Sequence, residues 1–219
     1  MTEKVVIIGG KGTAVVIAEQ IYDAHERFGM DIEVLGFAFD DPAYKDGING
    51  WPVLCGTREA YDMFKHDESV KFVFALYRSD ILKERIALRD SLNIPINRFL
   101  SFRHPSAYVA KSAQLGQANI ILANCAINNN VVMGNYNTMQ TGSLIGHDTH
   151  IGNNNFIAAH TCIGSNLKIG NGNFTGLNCS IKNFVVMGDY ILIGMAFNVV
   201  KDVSDGNILI GNPAKPLVK

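Results

Sequence analysis

The run Ile145-Gly-His-Asp-Thr-His-Ile151-Gly-Asn-Asn-Asn-Phe-Ile157-Ala-Ala-His-Thr-Cys-Ile163-Gly-Ser-Asn-Leu-Lys-Ile169-Gly repeats isoleucine at every sixth position, each followed by a small residue. Upstream the same register runs back through Met139, Met133, Ile127, Ile121 and Leu115 to Val109. Downstream it continues through Thr175, Ile181, Met187 and Ile193 to Val199, and Thr175 is the one position that is not apolar. A helix repeats near 3.6 residues and a half-buried strand near two, so neither produces a period of six. A hexapeptide-repeat parallel β-helix does. Each hexapeptide then forms one flat face of a triangular prism, three of them close a coil, and the sixfold residue points inward. The small residue beside it lets the backbone turn the corner.

Stepping by one coil gives coherent columns. Ile127, Ile145, Ile163 and Ile181 stack on one face, and Met133, Ile151, Ile169 and Met187 on another. Two residues before the inward positions lie Asn119, Asn137, Asn155 and Asn173, and also Cys125, Ser143, Thr161 and Cys179. Stacked asparagines can form side-chain hydrogen-bond ladders. The two cysteines share a column with Ser and Thr, so they read as small packed residues. About five coils at about 4.8 Å each make a prism roughly 25 Å long. The register is expected to end near Val200-Lys201-Asp202, leaving Gly211-Asn-Pro-Ala-Lys-Pro216 as a C-terminal extension.

Before residue 100 the texture differs. Lys4-Val-Val-Ile-Ile8 is a β-branched run closing on Gly9-Gly10-Lys11-Gly12, and Thr13 to Ala24 carries a helical pattern. Ile32 to Phe39 and Val70 to Leu76 read as strands, with a charged helix from about Ser79 to Leu92. Strand, glycine turn, helix, strand is a βαβ signature and implies a parallel sheet. The expected organisation is an α/β Rossmann-like domain over residues 1–100 followed by a β-helix domain over 101–219.

Composition narrows the function classes. With 19 basic and 20 acidic residues among 219, the net charge is -1, and no footprint for nucleic acid is visible. No stretch approaches the roughly 20 apolar residues of a membrane span, and the opening Met1-Thr-Glu-Lys run does not read as a signal peptide. Four cysteines without C-x-x-C spacing suggest a reducing, cytoplasmic setting and no zinc-finger motif. With 47% hydrophobic residues the chain can build a substantial core.

Three of the six histidines, His147, His150 and His160, fall within fourteen residues on the prism. Their phases differ around the coil, so a shared metal ion is not expected. His147 follows Gly146 at a corner and precedes Asp148, a neighbour able to fix the imidazole tautomer and favour proton uptake. A solvated surface histidine is the plain alternative. One coil further on, Ser165 follows Gly164, and its backbone N–H is a candidate oxyanion donor. In the first domain Gly9, Gly10, Lys11 and Gly12 fail the G-x-G-x-x-G fingerprint because its last position is Val15. A loop of amides at a helix N-terminus can still hold phosphate. Asp40 and Asp41 would face the same sheet edge and can accept hydrogen bonds from a nucleoside, although Asp-Asp-Pro is also ordinary turn chemistry.

Seven stretches together carry a resemblance: Val5-Val-Ile-Ile-Gly-Gly, Phe39-Asp-Asp, Gly50-Trp-Pro-Val-Leu, His104-Pro-Ser-Ala, the unbroken hexapeptides, Gly146-His-Asp and Gly211-Asn-Pro-Ala-Lys. Over its whole length the chain resembles bacterial acyltransferases that join a small Rossmann-like domain to a left-handed β-helix. These are nucleotide-linked amino-sugar N-acetyltransferases and sialic-acid O-acetyltransferases. The resemblance implies the left hand of the coil, a homotrimer with sites between prisms, acetyl-CoA lying along the prism, and a sugar nucleotide held by the first domain. It implies His147 as catalytic base, Asp148 as its acidic companion and Ser165 as the oxyanion donor. Gly164, Gly194, Ala196, Phe197, Ala214 and Lys215 are implied to line coenzyme A, with Lys215 meeting its phosphates. Gly9, Gly10 and Gly12 match the phosphate-side turn, with Lys11 where the family has histidine. Asp40 and Asp41 match the acids that contact the base in uridine-nucleotide members. Nine residues after His147 the family often has a second histidine, and here that position is Phe156.

The expected activity is acetyl transfer from acetyl-CoA, without a metal, to the amino group of a UDP-linked 4-amino-4,6-dideoxy sugar. O-acetylation of sialic acid or another sugar hydroxyl is the rival enzyme reading, and a non-catalytic sugar-nucleotide scaffold is the rival of another class.

Overall fold

A computed structural model describes residues 2–217 and divides the chain into two compact units, Met1–Leu100 and Ser101–Lys219. In the first unit β1 (Glu3–Ile8), β2 (Ile32–Ala38), β3 (Val53–Cys55) and β4 (Val70–Phe74) form a parallel sheet of order β3-β2-β1-β4. Val5, Val6, Ile7 and Ile8 of the inner strand β1 are completely buried, as an unbroken β-branched run on a two-sided parallel sheet must be. Helix α1 (Thr13–Phe28) buries Ala14, Ile17, Ala18, Ile21 and Ala24, a stripe at three- and four-residue spacing. It ends at Gly29, whose left-handed conformation supplies the C-cap.

The strands expected at Ile32–Phe39 and Val70–Leu76 stop at Ala38 and Phe74. Strand β3 and helix α2 (Ala60–Phe64) have no counterpart in the sequence reading, because three and five residues are too few to show a period. Helix α3 (Leu82–Ser91) completes the unit. Arg98 is 7% exposed, and its guanidinium donates to the carbonyls of Phe64, Lys65, Asp67 and Val70. That buried cation therefore satisfies the orphan carbonyls beyond α2.

The second unit consists of two- and three-residue strands in stacked sheets of five, six and eight members. Leu144–Ile145 pairs in parallel with Ala126–Ile127 on one side and Cys162–Ile163 on the other. The chain thus returns above itself after one coil, and the stacked parallel sheets fit a left-handed β-helix. The inward column forms one continuous core, with Ile127, Met139 and Ile145 completely buried. Thr175, the polar exception, is satisfied because its Oγ1 accepts from Ala158 N at 3.2 Å.

The asparagine ladder is present. Asn119 Oδ1 accepts from Asn137 N and Nδ2, Asn137 Oδ1 accepts from Asn155 N and Nδ2, and Asn155 Oδ1 accepts from Asn173 N, all within 2.8–3.1 Å. Each amide also caps a carbonyl of the next coil, such as Asn137 Nδ2 to Gly152 O at 3.0 Å. A second, more exposed ladder escaped the sequence reading: Asn135, Asn153, Asn171 and Asp189 accept from the backbone N–H of Gln117, Asn135, Asn153 and Asn171. Asparagine also holds the turns, where Asn124, Asn130, Asn154, Asn166 and Asn178 have φ between 56° and 61°. Its short polar side chain tolerates that left-handed conformation.

Both ends of the coil differ from expectation. Phe102–Arg103 already pairs with Ile120–Ile121, so stacking begins before Val109. It also continues past Asp202, because the coil tightens: Asp202 and Asp205 bind the amides of Val186 and Asp189 sixteen residues back. Val203 and Leu209 then resume the inward column beside Met187 and Ile193. Lys215–Pro216 adds antiparallel to Ile208–Ile210, covering an otherwise open strand edge.

Candidate active site

His147 leaves strand Leu144–Ile145 through Gly146. A Cβ at Gly146 would strike the Gly164 carbonyl of the next coil, so glycine permits the coil to close there. Asp148 follows in left-handed conformation with φ 54°, and this turn brings its carboxylate back to the imidazole. His147 Nδ1 lies 2.6 Å from Asp148 Oδ2. The other carboxylate oxygen, Oδ1, accepts from Asn130 Nδ2 of the preceding coil at 2.9 Å. The Asn130 amide first, and the imidazole second, hold the Asp148 carboxyl below the usual carboxylate range. With Nδ1–H donated to Asp148, the lone pair of Nε2 is left as a proton acceptor. The two side chains are 49% and 42% exposed, so the acceptor is open to an incoming molecule.

Ser165 stacks one coil beyond His147, where Asn166 N donates to His147 O at 2.9 Å. Its own amide does not point into a free site. Ser165 N–H donates to Asn183 Oδ1 at 2.9 Å, so the amide expected to face an oxyanion is already engaged. The reason is the ladder rule of the coil: a residue one coil onward supplies an acceptor for this amide. Stepping the His147 column once more, to Asn183, would have exposed the conflict in the sequence. Gly164 sits beside the same corner and accepts from Thr149 Oγ1 at 3.3 Å.

Five of the expected coenzyme residues come together at a different corner. Asn212 bridges them: its Oδ1 accepts from Asn198 N at 2.8 Å and its Nδ2 donates to Ala196 O at 3.0 Å. Ala214 N donates to Asn198 O at 2.8 Å, closing the C-terminal segment onto Gly194–Asn198. Phe197 and Ala214 pack against the inward core, while Ala196 and Lys215 are exposed. Phe156, at the position where the family often has a second histidine, is 5% exposed and stacks on Phe174 at 4.7 Å between ring centroids.

In the first unit Gly9, Gly10, Lys11 and Gly12 lead from β1 into α1. A Cβ at Gly10 would drive into the Phe39 ring, so this glycine is required by close approach. Lys11 Nζ lies 2.6 Å from Asp41 Oδ2 and 4.9 Å from the centre of the Tyr44 ring. The Asp41 hydrogen bond raises the Lys11 pKa, and the Lys11 ammonium, then the Ala43 amide, lower that of Asp41. Asp40 turns to other partners. Its Oδ1 accepts from Thr57 N at 3.0 Å, and it lines a cavity of about 390 Å³ with Phe39, Thr57, Leu76, Arg85 and Leu88. The two adjacent acids thus engage different partners. Asp41 closes a turn onto Lys11, and Asp40 faces the cavity. Thr57 and Arg85 were missed, since they come from the segments after β3 and β4 and share no motif with Asp40.

Among the described residues no group of three or more His, Cys, Asp or Glu side chains is placed to hold a metal ion. No described helix is long and apolar enough to cross a membrane.

No protein-family model matches the chain, and no curated protein matches its sequence. Solved structures do match over almost the whole length. A histidine mutant of perosamine N-acetyltransferase from Caulobacter crescentus, in complex with CoA and GDP-perosamine, is 25% identical with TM-score 0.82, over 99% of this chain and 97% of that one. PerB from the same organism, with CoA and GDP-perosamine, is 26% identical with TM-score 0.79, over 98% and 97%. The acetyltransferase domain of PglB from Neisseria gonorrhoeae, in complex with acetyl coenzyme A, superposes with TM-score 0.82 at 23% identity, over 99% and 100%. At that identity the last likeness speaks for the fold alone.

Proposed function

We propose that this chain is an acetyl-CoA-dependent N-acetyltransferase acting on the amino group of a nucleotide-linked 4-amino-4,6-dideoxy sugar. The observation that carries the reading is the His147–Asp148 pair at 2.6 Å, exposed at a coil corner. Its support is the match, over nearly every residue, to perosamine N-acetyltransferase crystallised with CoA and a GDP-linked sugar.

Acetyl-CoA supplies an activated acyl carbon. As the sugar nitrogen bonds to it and the carbon–sulfur bond breaks, a proton must leave nitrogen. His147 Nε2 takes that proton, and Asp148, held on its other oxygen by Asn130, keeps the ring in the accepting tautomer and stabilises the imidazolium. Lys215, exposed at the end of the C-terminal segment, would meet a coenzyme phosphate. The parallel-sheet unit serves as a Rossmann-like platform for the nucleotide, with the Gly9–Gly12 turn at the carboxyl end of β1 where such sheets bind ligands. The reading includes the homotrimer that the resemblance implies, in which one prism brings the His147 corner to the coenzyme groove of its neighbour.

His147→Ala should lower turnover at least about 100-fold, within the range a general base contributes, while calorimetry still records acetyl-CoA binding. Released thiol is followed with nucleotide-linked amino sugars and, in parallel, with free sialic acid. Near-normal turnover by the variant removes His147 from the reaction. Transfer to the hydroxyl acceptor alone replaces the N-acetyl reading, and a monomer by sedimentation removes the shared-site model.

A further inference from the structure

The partner of the Ser165 amide breaks the pattern of the coil at one point. Along the exposed ladder a glycine, the N–H after it and an asparagine one coil on form a repeating unit. A Cβ at Gly134 or Gly152 would strike Asn153 Oδ1 or Asn171 Oδ1, and those oxygens accept from Asn135 N and Asn153 N. Gly164, Ser165 and Asn183 form the same unit at the His147 corner. The difference lies at the other end of the carboxamide. Asn153 Nδ2 and Asn171 Nδ2 are consumed by the next rung, where they donate to Asn171 Oδ1 and Asp189 Oδ1 at 3.1 Å. One coil beyond Asn183 stands Lys201, whose side chain has no acceptor to offer. Asn183 is exposed, and among the described residues nothing accepts from its Nδ2.

The bond to Ser165 N therefore pins the carboxamide at the level of Ser165, one coil from His147 in the same column, with its own N–H donors unspent. Backbone donation into Oδ1 also polarises the group and strengthens those donors. Resting on the acetyl-transfer reading above, we propose that Asn183 Nδ2, in place of the Ser165 amide, stabilises the oxyanion of the reaction. As the sugar nitrogen bonds to the thioester carbon, the carbonyl electron pair moves onto oxygen, and Asn183 Nδ2–H donates to it. The pair returns as the carbon–sulfur bond breaks, and the nitrogen proton passes through His147 to the departing thiolate. An attacking nitrogen in hydrogen-bond reach of His147 Nε2 places that oxygen roughly 5 Å from the imidazole, close to the spacing of one coil.

Thiol release by the full chain and two variants tests this. Asn183→Ala removes the side-chain donor and uncovers the Ser165 amide, so the two candidate donors predict opposite results. A side-chain donor predicts a fall in kcat of at least about tenfold, toward the roughly 10²–10³-fold of a lost oxyanion contact. KM for acetyl-CoA should stay within about twofold, since the contact strengthens only in the transition state. A backbone donor predicts an unchanged or higher rate. Asn183→Asp keeps an acceptor for Ser165 N and sets a carboxylate where the donor stood. It should lose at least as much activity, while calorimetry still records acetyl-CoA binding and the unfolding midpoint stays near that of the wild type. A smaller fall or a gain in kcat for Asn183→Ala, or a loss confined to KM or to the midpoint, overturns the inference. Should Asn183→Ala be unfolded, Asn183→Asp decides by the same criterion. A wild-type chain that releases thiol with no acceptor removes the enzyme reading and this inference with it. An active wild type whose Asn183 variants match it removes the inference alone.

Discussion

The coil and the sheet unit reach order by opposite routes. In the coil, the laddered polar residues are met by the equivalent residue one turn away: Asn137 by Asn119 and Asn155, Asn153 by Asn171. The same chemistry repeats, so stability is a sum of nearest-neighbour terms. In the sheet unit the groups that matter come from distant places. Asp40 follows β2, Thr57 follows β3, Arg85 lies on α3, and Lys11 reaches thirty residues along to Asp41. A repeating structure can be edited locally, whereas a ligand pocket on an open sheet depends on all its strands at once.

The largest expected effect tests the ladder. Asn137→Ala strands the Asn155 backbone N–H and the Gly152 carbonyl in a site with no solvent access. At about 1–3 kcal/mol for each buried group left bare, the loss should be about 4 kcal/mol. Urea unfolding reads the loss, and hydrogen exchange should show deprotection concentrated in the flanking coils. A loss below about 1 kcal/mol, or protection falling first in β1–β4, would break the contrast between the units.

The next effect concerns the Asn130–Asp148 contact, which joins two coils beside the proposed base. Asn130→Ala frees one Asp148 oxygen without touching the imidazole, and a positioning contact of this kind should be worth about tenfold in kcat. Because the Asn130 hydrogen bond lowers the Asp148 pKa, its removal raises that pKa. The acidic limb of the rate profile should therefore move to higher pH. A wild-type profile in the variant would reduce Asn130 to a structural residue.

The smallest effect belongs to the exposed pair in the sheet unit. Asp41 is more acidic in the folded chain than when unfolded. Its contribution is present above the unfolded carboxylate range and lost as pH falls through the depressed folded value. Lys11→Met should flatten the acid side of the curve of thermal midpoint against pH and change little at neutral pH, as surface ion pairs are weak. An unchanged acid slope would show that Asp41 is held by the Ala43 amide instead.

Much of the coil was legible because its physics is written once and copied. Ile145, Ile163 and Ile181 announce the inward column, and the Asn119–Asn173 spacing announces the ladder. Its two ends were not legible, since the first coil opens on Phe102 outside the sixfold apolar pattern and the last closes two residues short. The His147–Asp148 pair was visible as neighbours in sequence. The Asn130 bond, and the Asn183 side chain that occupies the Ser165 amide, lie in other coils. They required the columns to be read for polar partners as well as apolar ones. In the sheet unit β1 and α1 declared themselves by composition and periodicity, while β3 and α2 were too short to do so.

From its residues alone this chain determines that it coils, with which register, and that a histidine with an acidic neighbour stands at a corner. Those properties depend on local spacing, and local spacing is what a one-dimensional string preserves. Only tertiary structure decided that Asp40 and Asp41 take different partners, that the Ser165 amide is taken, and that Thr57 and Arg85 line one cavity with Asp40. Each of these depends on which distant segments share a volume, and hydrogen bonds act only between groups that folding has brought within about 3 Å.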